Sequence, residues 1–370
     1  MSPIYILAVY VLTSWTFCIL LHQGNYIGQK NSSLIPIKFI FYTLPAFTIG
    51  FYFIALKPFD AGGDTSHYLE SFSYIKNPFT ATSDADFGTE VLFWPIQALL
   101  KLVFDARGWL IAHFLIISAL NFIAYKKLLE NTKITSLLFS LPFLSYFIVY
   151  DANAMRQAYA IPLSMLAFYY SYRRESLKFL AFSLISISFH WSSIVILIAP
   201  IANKIPHKPK YYITLPLLAL ALSSLISPMV DGIANLFGFQ WLLTKSNAYI
   251  DGNYKSHLDN ILLSLNFWLC ICTYMLTITL GTAKRQEYEK ITKLLLIFIC
   301  IILFSIKHVD IADRYLVNIL FLIPIAITIS LLNIKLSNLI RNLIVSLTML
   351  AMGGLVYTSP PLMSALGIRY

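Results

Sequence analysis

The chain has 370 residues, 58% of them hydrophobic and only 12% charged. A soluble domain carries about 25% charged residues, so this composition excludes an ordinary soluble globule and predicts an all-α polytopic membrane protein. The formal net charge of +10 comes from Lys and Arg in short loops between apolar runs, where the positive-inside rule accounts for them. No basic cluster with interleaved aromatics marks a nucleic-acid surface.

Apolar runs of span length occur at 3–21, 37–56, 109–125, 134–150, 157–172, 211–227, 261–281, 292–306, 314–332 and 342–358. Two further stretches, 91–104 and 178–203, are ambiguous. Together they predict roughly 10–12 transmembrane helices plus re-entrant or interfacial helices, in a single integral membrane domain over 1–370. A GT-C-like architecture is compatible with that count. The first run lacks a basic leader and a small-residue cleavage site, so it reads as a span. Cys18, Cys270, Cys272 and Cys300 lie inside apolar runs and read as small hydrophobes.

Basic residues decide the sidedness. Lys30 and Lys38; Lys126, Lys127 and Lys133; Arg173, Arg174 and Lys178; Lys204, Lys208 and Lys210; Lys284, Arg285, Lys290 and Lys293; and Lys335 and Arg341 all read as cytoplasmic. Both ends of 178–203 then face the cytoplasm. The stretch is expected to be a hairpin bent near His190, each arm only about 18 Å of helix. The same parity keeps 91–104 outside, as an interfacial or re-entrant helix with a bend near Pro95. Residues 57–90 and 228–260 become long outer loops, a length typical of lids and binding loops.

The unusual polar residues collect on that outer side. Asp64 and Tyr68 are spaced i, i+4 and share a face if their segment is helical. Glu90 opens the 91–104 stretch; Asp151, Asn153, Arg156 and Gln157 stand at the mouth of one span. His190 interrupts the next, and Asp310, Asp313 and Arg314 begin another. An arginine at the edge of a span costs roughly 2.5–3.5 kcal/mol, and its planar fork matches phosphate or carboxylate. Two readings stay open for Arg156. Either it snorkels and pairs with Asp151, or it joins the outer carboxylates in an anion site beside an acid or base. The bland alternatives elsewhere are solvated loop charges at Asp64 and Glu70, and a helix N-terminal acid at Glu90. For His190 the alternative is a ring bonded to backbone, and for Asp313 and Arg314 a local ion pair.

The D-x-D triplet at Asp84 and Asp86 reads as incidental, and no metal or cofactor is expected. The other histidines lack metal-ligand spacing. Phosphate-loop, dinucleotide, zinc-protease and nucleophile-elbow motifs are absent.

Five segments in order carry a resemblance: GGDTSHYLESF, TEVLFWPIQALL, NAMRQAYAIPLSMLAFYY, SISFHWSSIVILIAP and DRYLVNILFLIPI. Over roughly 60–330 the chain resembles the EpsG-like family, which belongs with the Wzy-type polysaccharide polymerases. It departs from similar proteins at Asn318, where they often carry tyrosine; here Tyr315 follows Arg314 directly. The resemblance implies polymerisation of oligosaccharide repeat units carried on undecaprenyl pyrophosphate, at the periplasmic face of a bacterial inner membrane. The product would be O-antigen, capsule or exopolysaccharide. On that implication Arg156 and Arg314 hold the pyrophosphate, and His190, Asp64 or Glu90 orients or deprotonates the acceptor hydroxyl. Gln157, Asn153, Tyr68 and Asp151 complete the binding site. The partners would be the lipid-linked oligosaccharide, the bilayer and a chain-length regulator protein. The rivals are a flippase for the same lipid-linked sugar, for which repeat symmetry is expected but not apparent, and a membrane acyltransferase centred on His190.

Overall fold

A computed structural model describes residues 47–48, 50–61, 63–84, 90–129, 151–237, 260–280 and 286–332, with a few isolated positions beyond. Every element among the described residues is helical, as the apolar periodicity predicts. The helices are α1 Gly63–Tyr74, α2 Ala81–Asp84, α3 Phe93–Lys101, α4 Ala106–Leu128, α5 Met155–Tyr172 and α6 Ser176–Phe189. They continue with α7 Ala199–Lys204, α8 Pro209–Ala221, α9 Ile226–Phe237, α10 Leu265–Thr279, α11 Gln286–Phe304 and α12 Val309–Leu332. Two compact units emerge, Met1–Ile194 with Lys335–Tyr370, and Val195–Ile334.

In the first unit α5 packs against both α4 and α6. From Met155 to Tyr169 it is buried at every position except Arg156, the behaviour of a helix that is apolar on all sides. Ser186 of α6 donates to the Ala160 carbonyl at 2.7 Å and meets Ser164 Oγ at 2.8 Å, pinning the two helices with their polar atoms satisfied. The opposite side of α6 exposes Leu177, Leu180, Leu184 and Ile185. Asp105 caps α4 by accepting from Gly108 N–H at 2.7 Å. Near the other end of the chain Gly367 takes the left-handed conformation, φ 73°, against Pro58 and Ala61. A Cβ there would come 2.7 Å from Pro58, so this close turn requires glycine.

In the second unit α11 packs on α8, α10 and α12. Pro216 sits inside α8 and has no N–H to give to Tyr212, four residues back. The Tyr274 hydroxyl of α10 donates to that carbonyl instead, at 2.8 Å.

Among the described residues one helix, Ala106–Leu128, is long and apolar enough to cross a membrane. A second qualifies if the halves of α12, bent by 46° around Pro324, count as one span. The predicted runs 3–21, 134–150 and 342–358 lie outside the described residues. The run 211–227 is divided by a 3₁₀ turn at Ser223–Leu225. The 178–203 stretch breaks at His190 as expected, but its second part begins as a 3₁₀ helix, Trp191–Ile198. Pro95 differs from expectation. It occupies the first turn of α3, where a missing N–H leaves no helical bond unmade, so it starts the helix instead of bending it. Within the 57–90 stretch, expected as a loop, the described residues include two helices, α1 and α2.

Candidate functional site

The chain is helical over 151–153, breaks at Ala154 (φ −87°, ψ 57°) and resumes as α5. That interruption turns the first residues of α5 out of line with the preceding turn. Arg156 Nη1 lies 2.7 Å from Glu90 Oε1. Its Nε–H donates to the Tyr68 hydroxyl at 3.0 Å, and the guanidinium stands 5.6 Å from the Tyr68 ring centroid. Three segments distant in sequence therefore meet on one guanidinium. Glu90 is only 4% exposed, whereas the Arg156 side chain keeps 21% of its surface. The carboxylate is thus withdrawn and the cation reachable.

Aromatic rings wall this ion pair. Tyr68 contacts Phe93 at 5.6 Å and Trp94 at 6.0 Å between centroids, and Phe93 contacts Tyr159 at 5.9 Å. Tyr159 stacks on Phe189 at 4.9 Å, the planes 8° apart. Such a lining strengthens the attraction between the charges, because little water screens them. Burial raises the Tyr68 hydroxyl above its ordinary value, partly offset by Arg156, so Tyr68 is a neutral phenol. Glu90 Oε2 is buried and has no hydrogen-bond partner.

His190 caps α6 in extended backbone. The Leu92 N–H donates to the Ser188 carbonyl at 3.0 Å, which joins the segment carrying Glu90 to the end of α6. Ser192 N–H donates to His190 Nδ1 at 3.3 Å, and Ser192 Oγ stands 2.7 Å from the same nitrogen. Because Nδ1 accepts, the neutral imidazole carries its proton on Nε2.

The remaining predicted residues divide. Asp64 is exposed at the start of α1, yet its charge reaches Lys57 and Tyr68. Asp151 does not pair with Arg156. Its carboxyl is wholly buried and neither oxygen has a hydrogen-bond partner. Burial pushes it well above the usual carboxylate range, so it is held protonated and avoids a buried charge. The Asn153 carboxamide oxygen is also buried without a hydrogen-bond partner, and Gln157 is buried beside Arg156 on α5. Arg314 belongs to the second unit, in the first turns of α12 with Asp310 and Asp313. Asn318 Nδ2 points back to the Arg314 carbonyl at 3.4 Å. Asp84 ends α2, and Asp86 lies outside the described residues.

Lys57 stands at the start of the stretch expected to be an outer loop. It is 2% exposed, and its amine donates to Thr65 Oγ1 of α1 at 2.6 Å and to the Ala152 carbonyl. His113 of α4 is buried beside the same turn. Its Nε2 lies 3.0 Å from the Asp151 carbonyl and its Nδ1 3.2 Å from the Tyr159 hydroxyl. A carbonyl only accepts, so Nε2 carries the proton and Nδ1 takes the one from Tyr159. No periodicity marks a lysine at the edge of an apolar run as buried.

The described helices thus bring an arginine–carboxylate pair together among aromatic side chains, its carboxylate withdrawn from solvent. The family model for the EpsG family matches residues 38–363. The chain belongs to the EpsG family, a family of membrane proteins associated with glycosyltransferase-like polysaccharide polymerases. No curated protein and no solved structure matches the chain.

Proposed function

We propose that the protein joins oligosaccharide repeat units carried on undecaprenyl pyrophosphate at the periplasmic face of a bacterial inner membrane. The observation that carries this reading is the Arg156 guanidinium, reachable and held between Glu90 and Tyr68, beside the unpaired Glu90 Oε2. A hydroxyl of the acceptor unit attacks the anomeric carbon of the growing chain. A new C–O bond forms, the anomeric C–O bond to the pyrophosphate breaks, and undecaprenyl pyrophosphate leaves with the electron pair.

Arg156 takes the pyrophosphate oxygens, exchanging part of its contact with Glu90 for them. A well-placed donor to a developing negative charge contributes roughly 3–4 kcal/mol. That exchange opens the ion pair and uncovers the Glu90 carboxylate, Oε2 included, to the acceptor. Glu90 then accepts the proton of the attacking hydroxyl through Oε2. Tyr68 keeps the guanidinium in plane, and His190 supplies an Nε2–H donor at the end of α6. No nucleotide motif is required, because the lipid pyrophosphate is already an activated leaving group.

Purified protein incubated with defined lipid-linked repeat units tests the reading. The expected product is a ladder of longer glycans with release of undecaprenyl pyrophosphate. Glu90→Gln keeps the size of the side chain but removes the base, so it should abolish the ladder while single units persist. Transfer of intact units across vesicle membranes without any ladder would instead identify a flippase.

A further inference from the structure

Lys57 occupies an unusual place in the first unit. Its backbone carbonyl accepts from Arg107 Nη1 at 2.9 Å, and the same guanidinium nitrogen donates to the Ala55 carbonyl at 2.7 Å. Arg107 also lies 4.4 Å over the Phe59 ring. The lysine is therefore anchored from α4 before its side chain begins. At the other end the amine joins α1 to the 151–153 turn. Thr65 Oγ1, on α1, receives one N–H, and the Ala152 carbonyl, in the 151–153 turn, receives another. Thr65 Oγ1 lies 3.2 Å from the same carbonyl.

These contacts close a circuit. Thr65 stands three residues before Tyr68, one helical turn along α1. Ala152 stands four residues before Arg156, across the break at Ala154. Tyr68 and Arg156 then meet through the 3.0 Å hydrogen bond. Lys57 spans the same gap at the other end of both elements, and His113 grips the adjacent Asp151 carbonyl from α4.

We propose that Lys57 is the positioning residue of this site, its amine setting the separation between α1 and the 151–153 turn that lets Tyr68 hold Arg156. Lys57 itself is buried and does not touch substrate. Its effect on catalysis rests on the reading of Arg156 as the pyrophosphate ligand, whereas its effect on the Arg156 geometry does not. Burial draws the amine down to about 7 against the field of Asp64. A neutral amine has two N–H groups, the number that the Ala152 carbonyl and Thr65 Oγ1 require.

The test separates geometry from activity. With ¹⁵N-arginine-labelled protein in lipid nanodiscs, the Arg156 Nε–H resonance is assigned by its loss in Arg156→Lys. In Lys57→Met the solvent exchange of that proton should accelerate at least about tenfold, because the bond to Tyr68 opens more often. Turnover of lipid-linked repeat units should fall about tenfold, since small misplacements of a charged ligand are costly. In an Arg156→Lys background the same change should cost less than about twofold, the coupling expected of residues acting through one another.

Wild-type exchange in Lys57→Met would overturn the proposal. So would accelerated exchange with full turnover, or an equal loss in both backgrounds. If the wild-type protein turns over no repeat units, the polymerase reading fails, and the exchange measurement alone decides the role of Lys57. If Lys57→Met does not fold, Thr65→Val removes the same link from the α1 side and is judged by the same criteria.

Discussion

A lysine at position 156 would keep the positive charge and lose the geometry. Arg156 uses Nη1 for Glu90 and Nε for Tyr68 at the same time, two directions fixed by one plane, and a single ammonium cannot reproduce that fork. Arg156→Lys should therefore insert and express normally yet turn over roughly ten- to a hundred-fold more slowly, the loss of charge-assisted bonds of about 1.5–3 kcal/mol. Glycan ladders at matched protein levels would check it, and a full ladder would return Arg156 to the role of interfacial anchor. Lys57 makes a separate prediction about pH. Its folded value, about 7, is below the ordinary 10.5, so between those values the unfolded chain binds the extra proton and stability rises with pH. Below about 7 the amine is charged in both states and the burial penalty is complete. The rise approaches about 1.4 kcal/mol per pH unit inside that window. Thermal unfolding of wild type and Lys57→Met across the window should show the slope only in wild type.

Elements decide how those residues are aimed. α5 ends with the Arg174 N–H bonded to the Ser171 carbonyl at 3.0 Å and the Glu175 N–H to the Tyr170 carbonyl at 2.9 Å, the paired closure of a Schellman motif. Arg174 sits at φ 59°, a region where a side chain costs roughly 1–2 kcal/mol and glycine costs little. Arg174→Gly should raise stability by up to about 1 kcal/mol, read as a higher unfolding midpoint, and leave turnover unchanged because the substitution lies at the far end of α5 from Arg156. The other end of α5 is the sensitive one. There the helical break at Ala154 separates the turn held by Lys57 and His113 from the helix that carries Arg156, so hydrogen bonds across the break, and not helix propensity, set the angle. Phe189 and Ser188 play the matching part on α6, the ring stacked on Tyr159 and the carbonyl bonded to Leu92. The segment leading from Glu90 is thereby tied to the helix that His190 caps.

For the whole molecule the strongest expectation is sidedness. The asymmetry of Lys and Arg between loops predicts that the Glu90–Arg156 centre faces the periplasm. Single cysteines at Ser66 and Asn253 should react with an impermeant thiol reagent from the periplasm, and cysteines at Thr132 and Thr282 should not. Ser66 is exposed on α1, between Thr65 and the helical turn that carries Tyr68, so its labelling reports directly on the site. Reversed labelling would move the arginine to the cytoplasm and exclude a periplasmic polymerase. By itself the sequence determined the helical class, because apolar periodicity is local and each helix satisfies its own backbone. It determined the interruption at His190 and which residues are polar where polarity is costly, whereas α1 stayed conditional inside a segment that reads as an outer loop. Only the tertiary structure decided what those residues do to one another. Glu90 and Tyr68 reach Arg156 from other elements, Asp151 stands next to the same turn and does not, and Lys57 is buried although it reads as a loop charge. Pairings of that kind follow from the packing of α1, α3, α4 and α5, which depends on all four helices together and leaves no mark in the periodicity of any one of them.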